Sequence, residues 1–241
     1  MLKRLAYNLG NGFRETGQTL DRIGSAMQGN FAYKEQLCRH RRVMPLYDLR
    51  PKLAHNVFVA PNATVVGDVK LGEGSSVWYG TVVRGDVSPV EIGENSSIGH
   101  RTVVHVTGGS QDKKKPTRVG NRVVVGNGVI LHGCTLEDES KVEDGAIVYD
   151  GAVVQKHAIV GAGAVVTQNK VVGSGQYWEG NPAKHVRNVT EEEKQQLLAA
   201  AGKLQELALL HAKETQKSTQ DLAFDDMVEE SYALKPGTRL D

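Results

Sequence analysis

Residues 142–166 read VEDGAIVYDGAVVQKHAIVGAGAVV. Val142, Val148, Val154, Val160 and Val166 stand six residues apart, and Ala146, Ala152, Ala158 and Ala164 follow the first four of them by four residues. A helix repeats near 3.6 residues and a half-buried strand near 2, so a period of six is neither. Six residues to a flat side and three sides to a turn make an 18-residue triangular coil. The aliphatic residue fills the corner of the prism and the small one fits its confined interior. Upstream, the same spacing runs through Val59, Val65, Leu71, Val77 and Val83. It resumes after a short insertion at Ile92, Ile98 and Val104, and after a longer loop at Val119, Val125 and Leu131. A one-residue slip then leads to Leu136, and the pattern continues to Val172. No coil buries its core alone, so stacked coils stabilise one another. The expected fold is an all-β core, a left-handed parallel β-helix of hexapeptide repeats, with roughly seven coils between about Val57 and Pro182.

Composition agrees with that core. Aromatics are 5% of the chain while 27 residues are glycine, which suits small β-branched interiors and tight corners. The net charge of +1 gives no strong pull on nucleic acid, and no nucleic-acid partner is expected. Lys113, Lys114 and Lys115 read as a solvated loop. Cys38 and Cys134 match no metal-ligand spacing and no disulfide framework, which fits a reducing compartment. No apolar run reaches the ~18 residues of a membrane span. The N-terminus lacks the apolar core of a secretory signal.

The ends of the chain read differently, which divides it into an N-terminal amphipathic docking extension (1–45), the β-helix (46–186), a C-terminal helix (187–220) and a polar tail (221–241). Leu2, Leu5, Leu9, Phe13, Leu20, Ile23 and Met27 fall at helical spacing with Lys3, Arg4, Arg14 and Arg22 between them, although Gly10, Gly12 and Gly17 weaken a helix. Two readings stay open for residues 2–27: contact with a membrane surface or membrane protein, or packing on the chain's own domain. Thr190 with Glu193 forms a capping-box pattern. Leu197, Leu198, Ala201, Leu204, Leu207, Ala208 and His211 then form one stripe, expected to pack on the outside of the prism or on a neighbouring subunit.

The repeat also places side chains in columns. Val83, Val104 and Leu131 begin the same face on successive coils, so Arg84, His105 and His132 form a column at the ~4.8 Å spacing of adjacent strands. Two imidazoles one rung apart can share a metal ion, and a catalytic zinc takes three protein ligands plus an open position. The strings Val82-Val83-Arg84-Gly85-Asp86, Val104-His105-Val106, Leu131-His132-Gly133-Cys134 and Gly180-Asn181-Pro182-Ala183 resemble the gamma-class carbonic anhydrases. The resemblance covers the whole β-helix. Toward the gamma-carbonic-anhydrase-like subunits of mitochondrial complex I it extends into Thr16-Gly17-Gln18-Thr19-Leu20-Asp21-Arg22 and the C-terminal helix.

That resemblance implies a trimer with zinc at its interfaces, two histidines coming from one subunit and the third from its neighbour. His105 and His132 match the pair. The third position is Asn127 here, a poor zinc ligand, and the usual water-positioning Gln-Asp pair is Gly99 and His100. His100 stands one coil from Asn127 on the same face and is a candidate substitute ligand, or a plain polar interface histidine. Arg84 and Asp86 are family-matched and read as a structural ion pair between subunits. No catalytic residue and no further cofactor is assigned. The resemblance implies a mainly structural gamma-carbonic-anhydrase-like subunit on the matrix side of the mitochondrial inner membrane. Its partners would be two other such subunits and membrane-arm subunits of complex I. The alternative is an active zinc carbonic anhydrase at an interface completed by a partner's histidine. A coenzyme A-dependent hexapeptide acyltransferase needs a histidine base in a loop. The one long loop, residues 107–118, has none.

Overall fold

A computed structural model describes residues 2–29, 40–108 and 115–217, and the chain divides into two compact units, residues 1–40 and 41–241. Cys38, Lys113, Lys114 and the expected polar tail (221–241) lie outside the described residues. In the first unit α1 runs unbroken over Leu2–Gln28, through Gly10, Gly12, Gly17 and Gly24, which oppose it. Leu5, Leu9, Phe13, Leu20, Ile23 and Met27 are all exposed. No described helix is long and apolar enough to cross a membrane.

The second unit is a parallel β-solenoid of about seven turns, as the period of six predicts. Its short strands stack into three ladders. One ladder steps through Val43, Val65, Val83, Val104, Leu131, Val148 and Val166. A second steps through Leu53, Leu71, Ile92, Val119, Leu136, Val154 and Val172. The third runs Val59, Val77, Ile98, Val125, Val142, Val160 and Trp178. Apart from Val43 and Leu53 at the open first coil, every one of these residues is buried. Full burial of such a side chain stabilises by about 1.5–3 kcal/mol relative to exposure, which makes the ladders the main source of stability. Ala146, Ala152, Ala158 and Ala164 are also fully buried, as their confined positions demand.

Beyond the open first coil, three departures from 18-residue steps shape the surface. The strand Val82–Ile92 carries extra residues, with a register shift opposite Gly67 and Val69. The loop between Val104 and Val119 is the second, and the shortened step from Leu131 to Leu136 is the third. All three ladders step over each departure together, so the interior stays in register while the outer surface is reshaped.

The C-terminal helix, α2 (Glu191–Thr215), lies along the third ladder, against Phe58–Val59, Ser76–Val77, Ser97–Ile98 and Val124–Val125. Its capping box forms: Thr190 accepts from the Glu193 amide, and the Glu193 side chain accepts from the Thr190 amide at 2.9 Å. Arg187 donates to both Glu193 oxygens at 2.7 Å, and with the cap it holds that carboxyl down at about 2. Leu197, Ala201 and Ala208 are buried, with Leu204 packed on the core. Leu198 and Leu207, part of the expected stripe, are exposed instead. The covered face of α2 is narrower than the apolar stripe.

Candidate metal centre

The expected column is present. His105 and His132 are direct partners across the strand pair Val103–His105 and Ile130–His132, and Val83 pairs with Val104, so Arg84 stands one rung before His105. Strand alternation turns Val104 and Leu131 inward and these polar side chains outward. The two imidazoles stack at 5.0 Å between centroids with 18° between their planes.

Each ring is engaged at one nitrogen. Arg84 donates from its guanidinium to His105 Nε2, and Arg84 Nε also lies 3.0 Å from Asp86 Oδ2. A guanidinium only donates, so His105 Nε2 carries a lone pair. Burial, then the Arg84 cation, then His132 push the His105 pKa below its ordinary value. His132 Nδ1 meets Asp150 Oδ1, which also accepts from Thr107 Oγ1 at 2.6 Å. Gln168 Nε2 donates to the other Asp150 oxygen at 3.3 Å. Burial alone would raise the Asp150 carboxyl, but the bonds from Thr107 and His132 outweigh it and hold it below the usual carboxylate range. Thr117 donates to the His105 carbonyl at 2.5 Å and accepts from the Gly133 amide at 3.1 Å. Both ends of the 107–118 loop therefore fasten to the histidine pair.

The other candidates sit on a different ladder. His100 and Asn127 are adjacent across the coils, because Ile98 pairs with Val125. Asn127 Oδ1 accepts the His100 backbone N–H at 2.9 Å, while the Asn127 amide donates to Asp144 at 2.7 Å. Asn121 does the same between Glu94 and Asp138. Asn127 thus fills a corner role that the repeat uses elsewhere, and its carbonyl oxygen is already engaged. The His100 ring stacks on Tyr79 at 5.8 Å with 7° between planes, and also lies against Trp78. His211 of α2 reaches the same cluster and hydrogen-bonds the Tyr79 hydroxyl at 3.0 Å. Gly99 is closely approached: a Cβ there would lie 2.3 Å from the Gly126 carbonyl oxygen.

Within one chain, then, two imidazoles converge and the third ligand does not. Among the described residues, no group of three or more His, Cys, Asp or Glu side chains is placed to hold a metal ion. The donor set fits a zinc ion in part: two imidazoles share an outward face, with the Nε2 of His105 meeting Arg84. Cys134, next to the site, is fully buried, and burial pushes its thiol up to about 12, which leaves it inert as a ligand. His157 sits 3.4 Å from Glu139, beside Arg122 and Lys156. Sequence reasoning also missed Asp150, Thr107, Thr117 and Gln168. Asp150 stands two residues past Val148, one beyond the rung position of His132, so the column count does not single it out.

Comparison with known proteins places this geometry. The family described as "Bacterial transferase hexapeptide (six repeats)" matches residues 50–85. A solved hexapeptide transferase family protein from Anaplasma phagocytophilum is 40% identical with a TM-score of 0.65, covering 70% of this chain and 98% of that one. "Gamma carbonic anhydrase 2, mitochondrial" of Arabidopsis thaliana is 44% identical over 97% of this chain and 84% of its own length. "Gamma carbonic anhydrase 1, mitochondrial" of the same plant is 43% identical over 97% and 86%. Identity at this level along nearly the whole chain, on a solenoid that carries the paired histidines, shows that the chain belongs to the gamma carbonic anhydrase family.

Proposed function

We propose that this chain is a mainly structural gamma-carbonic-anhydrase-like subunit that supplies two of three zinc ligands to an interface in a trimer. The observation that carries the reading is the incomplete ligand set: His105 and His132 face outward together, while Asn127 is engaged with the His100 backbone. An outward ligand pair needs a neighbour to complete it. In a trimer with family partners, the interface receiving His105 and His132 gains a third histidine from the partner, and the interface receiving Asn127 does not. When bound, zinc supplies the Lewis acidity that makes water a nucleophile near neutral pH. Gly99 lies beside Asn127 on the other ladder, so the interface that receives Asn127 lacks both a third imidazole and a side chain to orient that water, which favours bracing over catalysis there.

The mitochondrial naming of the relatives supports a mitochondrial setting. Within it we assign the chain to the matrix side of the inner membrane, in the carbonic anhydrase domain of complex I, beside two related subunits and the membrane arm. The exposed apolar side chains of α1 are suited to membrane-surface contact there.

The test is carbon dioxide hydration by the chain purified alone, together with metal analysis of the native trimer. Hydration at background, with metal confined to the interface built on His105 and His132, is expected. Substantial hydration by the chain alone overturns the structural reading. A second reading, an active site completed by a partner's histidine, is favoured by the support Asp150 gives His132. It requires turnover by the mixed trimer that disappears with His132→Ala.

A further inference from the structure

We propose that Asp150, braced by Thr107 and Gln168, is a positioning residue that holds His132 in the tautomer with its proton on Nδ1, so that Nε2 presents its lone pair outward. The proposal rests on the ligand reading of His105 and His132 and deepens it.

The argument starts from the carboxylate. Asp150 Oδ1 meets His132 Nδ1 and accepts from Thr107 Oγ1, while Oδ2 accepts from Gln168 Nε2. An ionised carboxylate only accepts hydrogen bonds. With a donor on each oxygen, its orientation is fixed by groups other than the histidine, so the ring conforms to the carboxylate. A nitrogen facing that acceptor carries the proton, and the other nitrogen is left as the electron-pair donor. Metal-ligating histidines commonly hand their second N–H to a carboxylate in this way, and loss of the partner weakens metal binding about 10- to 100-fold. His105 has a different arrangement, because its Nε2 receives the Arg84 guanidinium. The two rings are therefore unequal: His132 is preset as a ligand, and His105 becomes available when Arg84 withdraws. Thr107 opens the long loop after His105, which gives that insertion a structural reason. It supplies the hydroxyl that aims Asp150.

The tautomer can be read without any metal. The full-length chain, labelled with ¹⁵N at histidine, is examined by long-range ¹H–¹⁵N correlation at a pH above histidine titration. His132 is expected with Nδ1 protonated and Nε2 bare. In Asp150→Ala the population moves toward the Nε2–H form while the circular dichroism is unchanged. Thr107→Val, which keeps the carboxylate but frees it, moves it the same way by less. Zinc titration of the assembled trimer is expected to show about 10- to 100-fold weaker binding for Asp150→Ala. A wild-type His132 protonated at Nε2, or an Asp150→Ala spectrum still protonated at Nδ1, overturns the proposal. If Asp150→Ala does not fold, Thr107→Val and Gln168→Ala carry the test, and no shift in either overturns it. An Nδ1–H tautomer in a trimer that takes up no zinc supports the positioning role while removing the metal reading, so the two failures are distinct.

Discussion

In the reading we propose, Gly99 and Asn127 stand where a water-orienting side chain and a third ligand would be, and different physical obstacles meet their replacement. At Gly99 the obstacle is backbone: a Cβ would lie 2.3 Å from the Gly126 carbonyl oxygen and 2.5 Å from its carbon. Neither can rotate away as a side chain would. Gly99→Gln is therefore expected to lower stability by about 1–3 kcal/mol, the usual range for overpacking, seen as a reduced urea midpoint. At Asn127 the obstacle is one hydrogen bond, from the His100 amide to Oδ1. That amide lies on an exposed residue and can turn to water, so Asn127→His should cost less than about 1 kcal/mol. Zinc content of the native trimer should rise with Asn127→His alone, while hydration stays low because position 99 still lacks a polar side chain. Full hydration by that single variant would show that orientation of the water does not depend on position 99.

At the scale of elements, the corners carry the charge chemistry. Glu139 lies at a turn with φ +57° and is 6% exposed, receiving Arg122, Lys156 and His157. The Arg122 hydrogen bond leads in holding its pKa below the ordinary carboxylate value, against the opposing effect of burial. A depressed folded-state value contributes stability that is present above the unfolded value, near 4.5, and lost as pH falls through the folded one. Wild type should thus exceed Glu139→Gln by about 1 kcal/mol at pH 7, and the gap in thermal midpoint should close below pH 4.5. No change in the gap with pH would remove the ion cluster from the stability account. On α2, Thr190→Ala removes the side-chain half of the capping box and should cost about 1 kcal/mol. The loss should appear as faster amide exchange in the first turn of α2, with the coils unaffected. These elements differ in how legible they were. The ladders could be read because each buried position repeats every six residues, and one period fixes them all. The column Arg84, His105 and His132 followed from the same count. Asp150 and Thr107 escaped because their partnership runs from a corner to an insertion, where the period is broken. The half-covered stripe of α2 escaped because apolar spacing does not say how wide a face the coils can cover.

At the scale of the whole molecule, the outward surface of the first ladder is unlike a solvated sheet face. Val82, Val103 and Ile130 are partners on successive rungs and are 36%, 38% and 40% exposed. They run two residues ahead of Arg84, His105 and His132, so an apolar ridge lies beside the unfinished ligand pair on one side of the prism. A solenoid couples mainly nearest coils, and the inward residues Val83, Val104 and Leu131 carry that coupling. Assembly and folding are therefore separable here, because alternate residues of the same strands serve each. Ile130→Lys places a charge on the ridge and leaves Leu131 in the core. It should keep the circular dichroism and the thermal midpoint within about 0.5 kcal/mol equivalent, as surface changes do. In the trimer we propose, the same variant should shift sedimentation toward the monomer and lower bound zinc with it, since the ligand set closes only across the interface. Leu131→Ala should behave oppositely, losing about 2–5 kcal/mol of stability through the cavity it opens. A trimer that survives Ile130→Lys intact would place the subunit contact on another face and leave His105 and His132 open to solvent.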